Sequence, residues 1–173
     1  LPYEEKIKKL ENEGKTVMLL AVKNQIKGAL AVADVLKKES KEAVKILKEN
    51  GLEVWMLTGD NDRTSRAIAS QTDIENVMSE VLPDKKSEKV RELQNQGKIV
   101  AMVGDGINDA PALTQSNVGI AMGEGTDIAM ESANITLMRG DLILIPETIK
   151  LSKRTMRIIK QNLLWAFFYN IAF

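Results

Sequence analysis

One stretch, residues 103 to 113, constrains the fold more than any other. An apolar run, Ile99 to Val103, is typical of a buried strand, and a glycine-rich acidic loop follows it and leads into a short helix. Asp105 and Asp109 should therefore lie where a parallel strand ends, which is the usual ligand crevice of an open α/β sheet. Carboxylates and a carboxamide with glycines between them suit a hard cation, so the loop predicts a Mg²⁺ site. The alternative is a plain strand-to-helix turn with a capping aspartate.

A second polar loop follows another apolar strand. Thr58, Gly59 and Asp60 come directly after the strand predicted over 53–57, and the next helix is expected to begin near Asp62. The Thr58 hydroxyl and the Gly59 amide are both able to donate a hydrogen bond to a phosphoryl oxygen. As an alternative, Thr58 and Asp60 are turn formers and Asp62 is the N-cap of the helix.

Lysines lie between the two loops. The segment from Leu82 to Lys86 opens a helix with a proline near its first turn. A lysine at this point is able to balance phosphate charge, although a solvated surface lysine is the simpler interpretation. The order of hydroxyl loop, lysine and acidic loop is more informative than any of the three parts alone.

Helices and strands alternate along most of the chain. This alternation predicts an α/β fold, a doubly wound parallel sheet with helices on both faces. Before it, residues 3–13 predict an amphipathic helix ending at Gly14, and two apolar runs predict a hairpin over 16–22 and 25–32. The later helices are expected at 40–50, 62–70, 84–96, 108–116 and 126–132, and the strands at 53–57, 76–79, 99–103, 118–121 and 134–137.

Charge and composition exclude some classes of function. Lysine plus arginine and aspartate plus glutamate both number 24 among 173 residues, so a basic surplus that would indicate nucleic-acid binding is absent from the sequence. The sequence also has no histidine and no cysteine, the residues that bind zinc and soft metals.

The C-terminal part changes character. Residues 143–162 are basic and helical in pattern, and they run into an apolar stretch of eleven residues, 163–173. A membrane-spanning helix needs about 20 residues, but lysine and arginine just before an apolar run are typical of the cytoplasmic side of a membrane. We therefore expect a truncated transmembrane helix, with the residues before about 160 cytoplasmic and a lipid bilayer as partner.

The order of the loops resembles the haloacid-dehalogenase superfamily of phosphoryl-transfer domains, and within it the P-type ATPases. By this resemblance Thr58, Gly59 and Asp60 contact the phosphoryl group and the nucleotide side of the site, and Asp105 is the Mg²⁺ ligand. Lys86 matches the family lysine three positions after the proline.

The resemblance also assigns the rest of the acidic loop. Asn108 and Asp109 match the pair that positions the phosphoryl group and braces the site, with Asp109 also close enough in sequence to share the Mg²⁺. The residue before the family lysine is Lys85 here, so either lysine can take that role, and spacing favours Lys86. ATP and Mg²⁺ are the cofactors that the resemblance implies.

Two further segments narrow the resemblance to ion pumps. Residues 125–138 are similar to the segment after the Mg²⁺ loop in ion-pumping P-type ATPases. Tyr169 and Asn170 match a pair that copper-transporting pumps of the heavy-metal class carry, which implies copper(I) export and a transported-ion pathway. One alternative is that Trp165 and Tyr169 are interfacial aromatic residues and that Asn170 hydrogen-bonds to a neighbouring helix. The other alternative is a zinc or cadmium pump of the same class.

The resemblance covers nearly all of the chain but only part of the family's headpiece. It divides the chain into the end of a nucleotide-binding domain (1–33), a phosphorylation domain from a hinge at Asp34 (34–142), and a stalk with the start of a membrane helix (143–173). The segment with the phosphorylated aspartate is not in the sequence, so the remainder of the pump polypeptide is a required partner and the chain alone should be inactive. A soluble phosphatase and a non-catalytic interaction module are the other classes considered.

Overall fold

The computed structural model describes residues 3–33, 36–123 and 127–172. The hinge predicted at Asp34, together with Gly125 and Thr126 of the pump-like segment, lies outside the described residues.

The N-terminal unit is a helix followed by an antiparallel hairpin. Helix α1 spans Glu4–Asn12, strand β1 spans Thr16–Val22 and strand β2 spans Gln25–Val32. The two-residue turn between the strands has positive φ at both positions, 48° at Lys23 and 62° at Asn24. Such a turn matches the right-handed twist of a hairpin. The predicted helix and hairpin are confirmed.

Helices and parallel strands alternate through the middle of the chain, which confirms the predicted α/β class. Two predicted helices begin with a 3₁₀ turn, Pro83–Lys85 and Ile107–Asp109, and most of the strands are shorter than predicted. The elements are α2 Lys38–Glu49, β3 Trp55–Leu57, α3 Asp62–Gln71, β4 Asn76–Met78, α4 Lys86–Asn95, β5 Ala101–Gly104, α5 Ala110–Gln115, β6 Val118–Met122, α6 Asp127–Ser132 and β7 Ile135–Leu137.

The parallel strands form two separate sheets rather than the single sheet that the alternation predicts. Strand β3 pairs with β4, while β5, β6 and β7 form a three-stranded sheet with β6 in the centre. Among the described residues no strand pairs with both β3 and β5. The edges of β3 and β5 that face away from their partners are therefore unpaired among the described residues.

The core lies around β6, which is the most deeply buried strand. Ile120, Met122 and Ile145 form its centre, so the first turn of the last helix is anchored in it. A Cβ atom on Gly119 would come within 2.7 Å of the Leu113 carbonyl oxygen, so only glycine lets α5 pack this closely on β6.

One continuous helix, α7, spans Leu144–Ala172 and joins the predicted basic and apolar parts. Ile145 and Pro146 are buried, whereas every residue from Lys150 to Ile171 is exposed. Within the described ranges, no helix combines the length and the continuous apolar character that crossing a bilayer requires.

Candidate active site

The acidic loop is built around a close approach between its two ends. Strand β5 ends at Gly104, and the Asp109 amide donates to the Gly106 carbonyl at 3.0 Å to close the 3₁₀ turn. A Cβ atom on Gly104 would lie 2.6 Å from the Asp109 Cβ and 2.9 Å from Oδ2. The Asp109 side chain therefore occupies the space that any other residue at 104 would need. As a result Asp109 is only 9% exposed.

Lys86 is the lysine that reaches this loop. Its Nζ lies 2.7 Å from Asp109 Oδ1, and the two side chains are only 17% and 13% exposed. Lys85 instead pairs with Glu88 at 2.8 Å, where both side chains are about half exposed. The hydrogen bond between Lys85 and Glu88 lowers the pKa of Glu88 and raises the pKa of Lys85. The structure thus brings Lys86, and not Lys85, to the acidic loop.

Asp105 and Asn108 are exposed on either side of that pair. Among the described residues, neither side chain has a hydrogen-bonding or ionic partner. Their oxygens are therefore accessible to a ligand from solution. Oxygen donors of this kind suit Mg²⁺, which keeps several of its waters. The described residues hold no group of three or more histidine, cysteine, aspartate or glutamate side chains that would form a complete metal site.

The hydroxyl loop is held by hydrogen bonds on both sides. The Thr58 amide donates to the Met78 carbonyl at 3.0 Å, and the Val81 amide donates to the Thr58 carbonyl at the same distance. The Thr58 hydroxyl donates to Asp60 Oδ2 at 2.8 Å, and the Asp60 amide donates back to that hydroxyl at 3.2 Å. The exposed Gly59 at the centre leaves its backbone open to solvent.

The helix that follows is capped by Asn61, and not by Asp62 as the turn-former alternative for this loop has it. The Asn61 side chain accepts a hydrogen bond from the Thr64 amide at 3.0 Å, because the extended backbone of Asn61 places its oxygen over the first turn. Asp62 is the first helical residue and pairs with Arg66 one turn later at 2.8 Å. The hydrogen bond from Arg66 lowers the Asp62 pKa.

A groove of about 800 Å³ joins several of these residues at the carboxyl ends of the strands. Thr58, Gly59, Asp60 and Asn108 are not among its lining residues. Lys37 and Arg139 line the groove, although the sequence predicts neither of them as a site residue. Lys37 Nζ donates to the Gly140 carbonyl at 2.6 Å. No sequence motif marks these two cations. The predicted site residues that line the groove are Lys86, Asp105 and Asp109, together with Leu57 of β3 and Met102, Val103 and Gly104 of β5.

The N-terminal unit contacts the hydroxyl loop and the helix behind it. Arg63 on α3 pairs with Glu11 on α1 at 2.9 Å, and the Glu11 side chain is only 16% exposed. The buried Thr64 hydroxyl donates to the Lys15 carbonyl at 3.1 Å. Thr16 donates a longer hydrogen bond, 3.4 Å, to Asp60. These long-range contacts have no local sequence signal.

Tyr169 and Asn170 lie outside the groove lining, on the exposed end of α7. The Asn170 amide donates to the Ala166 carbonyl one turn earlier at 2.8 Å. The structure therefore does not bring this pair together with the other predicted site residues.

Comparison with known proteins gives the class to which this arrangement belongs. A family model described as haloacid dehalogenase-like hydrolase matches residues 1–117. Because the match spans more than half of the chain, the chain belongs to the haloacid dehalogenase-like hydrolases.

Curated relatives place the chain more narrowly, beside heavy-metal pumps. It is 55% identical over 162 residues to a copper-exporting P-type ATPase of Staphylococcus aureus, and 53% identical to one of Staphylococcus epidermidis. In each case the alignment covers 94% of this chain and 20% of the relative, so the chain spans about a fifth of their length.

Solved structures agree with this placement. A zinc-transporting PIB-type ATPase in the E2.Pi state has a TM-score of 0.77 and 38% identity, covering 92% of this chain and 26% of that one. The catalytic domain of the CPx-ATPase CopB-B has a TM-score of 0.64 and 30% identity, covering 79% and 57%. The predicted resemblance to heavy-metal P-type ATPases is confirmed.

Proposed function

We propose that this chain is the C-terminal part of the catalytic headpiece of an ATP-driven pump that exports copper(I) through an aspartyl-phosphate intermediate. The observation that carries the proposal is the largely buried Lys86–Asp109 pair in the same loop as the exposed Asp105 carboxylate, which has no partner among the described residues. All three side chains line one groove at the carboxyl ends of parallel strands, where α/β proteins bind ligands. The copper-exporting relatives support the choice of reaction and ion.

The charges in this groove suit phosphoryl transfer, which depends mainly on positioning and on electrostatic stabilisation. Lys86 supplies a positive charge that Asp109 holds in place. The Asn108 side-chain amide and the Gly59 backbone amide contribute hydrogen bonds to phosphoryl oxygens. The Thr58 hydroxyl donates to the Asp60 carboxylate at 2.8 Å, and it would turn this single proton towards a phosphoryl oxygen when the phosphoryl group binds.

The donor set fits Mg²⁺. The exposed Asp105 carboxylate offers a hard oxygen in the groove lining, and Asp109, which lines the same groove, contributes a second carboxylate. Bound Mg²⁺ would neutralise charge on the phosphoryl oxygens. The remaining ligands would come from water and from the phosphoryl group, because the described residues contain no three-member cluster of metal-binding side chains.

The groove also suits one additional strand. Leu57 of β3 and Val103 of β5 both line it, and the edge of each strand that faces away from its partner is unpaired among the described residues. An unpaired edge presents backbone donors and acceptors that another strand can satisfy. We place there the strand that carries the phosphorylated aspartate, supplied by the remainder of the pump polypeptide. ATP would then be bound between this site and the nucleotide-binding domain that ends with residues 1–33.

We place the apolar end of α7 in the bilayer of the cell membrane, with the residues before about 160 on its cytoplasmic side. A helix that crosses a bilayer needs about 20 apolar residues, and a pump as long as the curated relatives, about five times the length of this chain, would supply the rest. Tyr169 and Asn170 would then lie beside the ion pathway. Because copper(I) prefers sulfur ligands, they would support thiolates on other helices.

Asp105→Asn in the complete pump tests the headpiece assignment. The variant should lose Mg²⁺-dependent phosphoenzyme formation by at least about 100-fold, because one ligand charge is removed where phosphoryl charge must be neutralised. Asp84→Asn is the matched control, since Asp84 is exposed in the 3₁₀ turn before Lys86, and it should retain normal phosphorylation. Normal phosphoenzyme formation by Asp105→Asn at ordinary Mg²⁺ would refute the assignment.

Asn170→Ala tests the ion pathway separately. ATPase activity at limiting copper(I) should fall, while phosphorylation by inorganic phosphate, which uses only the headpiece, should persist. Asn162→Ala, two helical turns earlier on α7, is the control. If zinc and not copper(I) stimulated the ATPase activity of the unaltered pump, the proposed ion would be wrong. The headpiece proposal would stand in that case.

A further inference from the structure

Helix α7 carries a continuous basic stripe that the proposed reaction does not use. Its only acidic residue is Glu147 in the first turn, so residues 148–172 hold cations without a compensating acid on the same helix. At 3.6 residues per turn the cations fall within an arc of about 120°. The stripe consists of Lys150, Lys153, Arg154, Arg157 and Lys160, all of them exposed.

The rest of the helix surface along the stripe carries apolar side chains together with the polar Ser152 and Thr155. Leu151 is 65% exposed, and Ile158 and Ile159 are 46% and 44% exposed. From Leu163 to Tyr169 the apolar character extends around the whole helix, including Trp165 and Phe168. The described part of the chain offers no packing for either side, because only the first turns of α7 reach the core.

We infer that the basic stripe binds the anionic headgroups of the phospholipid bilayer that the end of α7 enters. The inference rests on the proposed placement of that end in the membrane. Charge complementarity selects the occupant, since an anionic bilayer surface attracts each nearby lysine or arginine. Apolar side chains directly after the stripe fix its distance from the hydrocarbon.

Distance along the helix then ranks the cations. With about 1.5 Å of rise per residue, Lys160 lies roughly 5 Å and Arg157 roughly 9 Å before Leu163, where the apolar run begins. The headgroup layer on one side of a bilayer is roughly 5–8 Å deep, so Lys160 lies within this layer and Arg157 lies roughly 1 Å outside it, well within one Debye length. Lys150 lies roughly 20 Å away, more than two Debye lengths at physiological salt. The lower part of the stripe therefore carries the lipid contact.

Vesicle binding by the full 173-residue chain tests this inference. The chain is titrated with vesicles of phosphatidylcholine alone, or with one third phosphatidylglycerol, at about 0.15 M salt. Each cation near the surface strengthens binding about fivefold, so Arg157→Gln with Lys160→Gln should weaken anionic-vesicle binding by about 10–30-fold. The matched control, Lys150→Gln with Lys153→Gln, removes the same charge farther away and should change binding by less than about threefold.

Two outcomes would overturn the inference. Equal losses for the two double variants would show a net-charge effect without headgroup contact. Equal binding of the unaltered chain to both vesicle types would show that the stripe faces another occupant, such as an acidic surface of the pump itself. Quenching of Trp165 fluorescence by lipids labelled on their acyl chains reports membrane insertion separately. Insertion without anionic preference refutes only this inference, whereas no insertion refutes the proposed membrane placement.

Discussion

Replacing Lys86 with methionine removes one charge of the Lys86–Asp109 pair and keeps most of the side-chain volume. The Asp109 carboxylate then stays in a site where its side chain is only 13% exposed, without its cation. Breaking a buried pair costs about 3–5 kcal/mol, and an exposed pair contributes about 0–1 kcal/mol. Because this pair is mostly but not fully buried, we expect the free energy of unfolding to fall by about 3 kcal/mol.

Lys85→Met is the matched control, one residue earlier in the chain. Lys85 and Glu88 form an ion pair of similar length, 2.8 Å, but their side chains are 51% and 56% exposed. Loss of this pair should change stability far less than loss of the Lys86–Asp109 pair, because water screens the two exposed charges. Lys85 holds the Glu88 pKa below its ordinary value of 4.5, so its contribution is present above that pH and is lost as the pH falls through the folded-state pKa.

Urea unfolding followed by circular dichroism measures the free energy of unfolding of both variants, and thermal unfolding measures their melting temperatures. A mild detergent keeps the end of α7 soluble in both experiments. A chain of this size loses roughly 2–4 °C of melting temperature per kcal/mol, so Lys86→Met should melt about 6–12 °C lower. Adding Asp109→Asn should recover about 2 kcal/mol, since the unpaired charge is removed. Equal losses for Lys86→Met and Lys85→Met, or strict additivity with Asp109→Asn, would refute the reasoning.

The same variants separate stability from catalysis in the complete pump. If Lys86 also contributes charge to the phosphoryl group, the double variant should regain stability without regaining phosphoenzyme turnover. Recovery of turnover together with stability would show that the pair is only structural.

The remaining predictions concern backbone space and the contact between the N-terminal unit and the site. Gly104→Ala should displace the Asp109 side chain, which a Cβ atom would approach to 2.6 Å, and cost about 1–3 kcal/mol in urea unfolding. At Gly106 the nearest atom would be 4.0 Å away, so alanine there should cost clearly less, and the opposite order would contradict the geometry. Arg63→Met should increase proteolytic cleavage between α1 and β1, because it leaves the largely buried Glu11 carboxylate without its cation. Unchanged cleavage would show that the ion pair does not hold the N-terminal unit against α3.

Local chemistry is what the sequence predicts well. The turn at Lys23 and Asn24 and the alternating elements follow from the spacing of apolar residues and from turn propensity. The order of the two polar loops also follows, because strand ends and glycines are visible in the sequence. Boundaries differ by one or two residues where a 3₁₀ turn precedes a helix, as at Pro83 and Ile107.

Other features depend on how distant segments pack, and local signals do not contain them. Asn61 rather than Asp62 caps α3 because the backbone direction there decides which oxygen faces the first turn. Lys37 reaches the Gly140 carbonyl across 103 residues, and this contact adds an unpredicted cation to the groove.

The sequence by itself determined the α/β class, the order of the two polar loops and the resemblance to heavy-metal pumps, because these depend on residue order along single strands and turns. The tertiary structure decided that the parallel strands form two sheets. It also decided that Lys86 and not Lys85 faces the acidic loop. Adjacent residues on a helix point about 100° apart, so only one of the two lysines can lie over Asp109, and the packing of α4 against α5 determines which one.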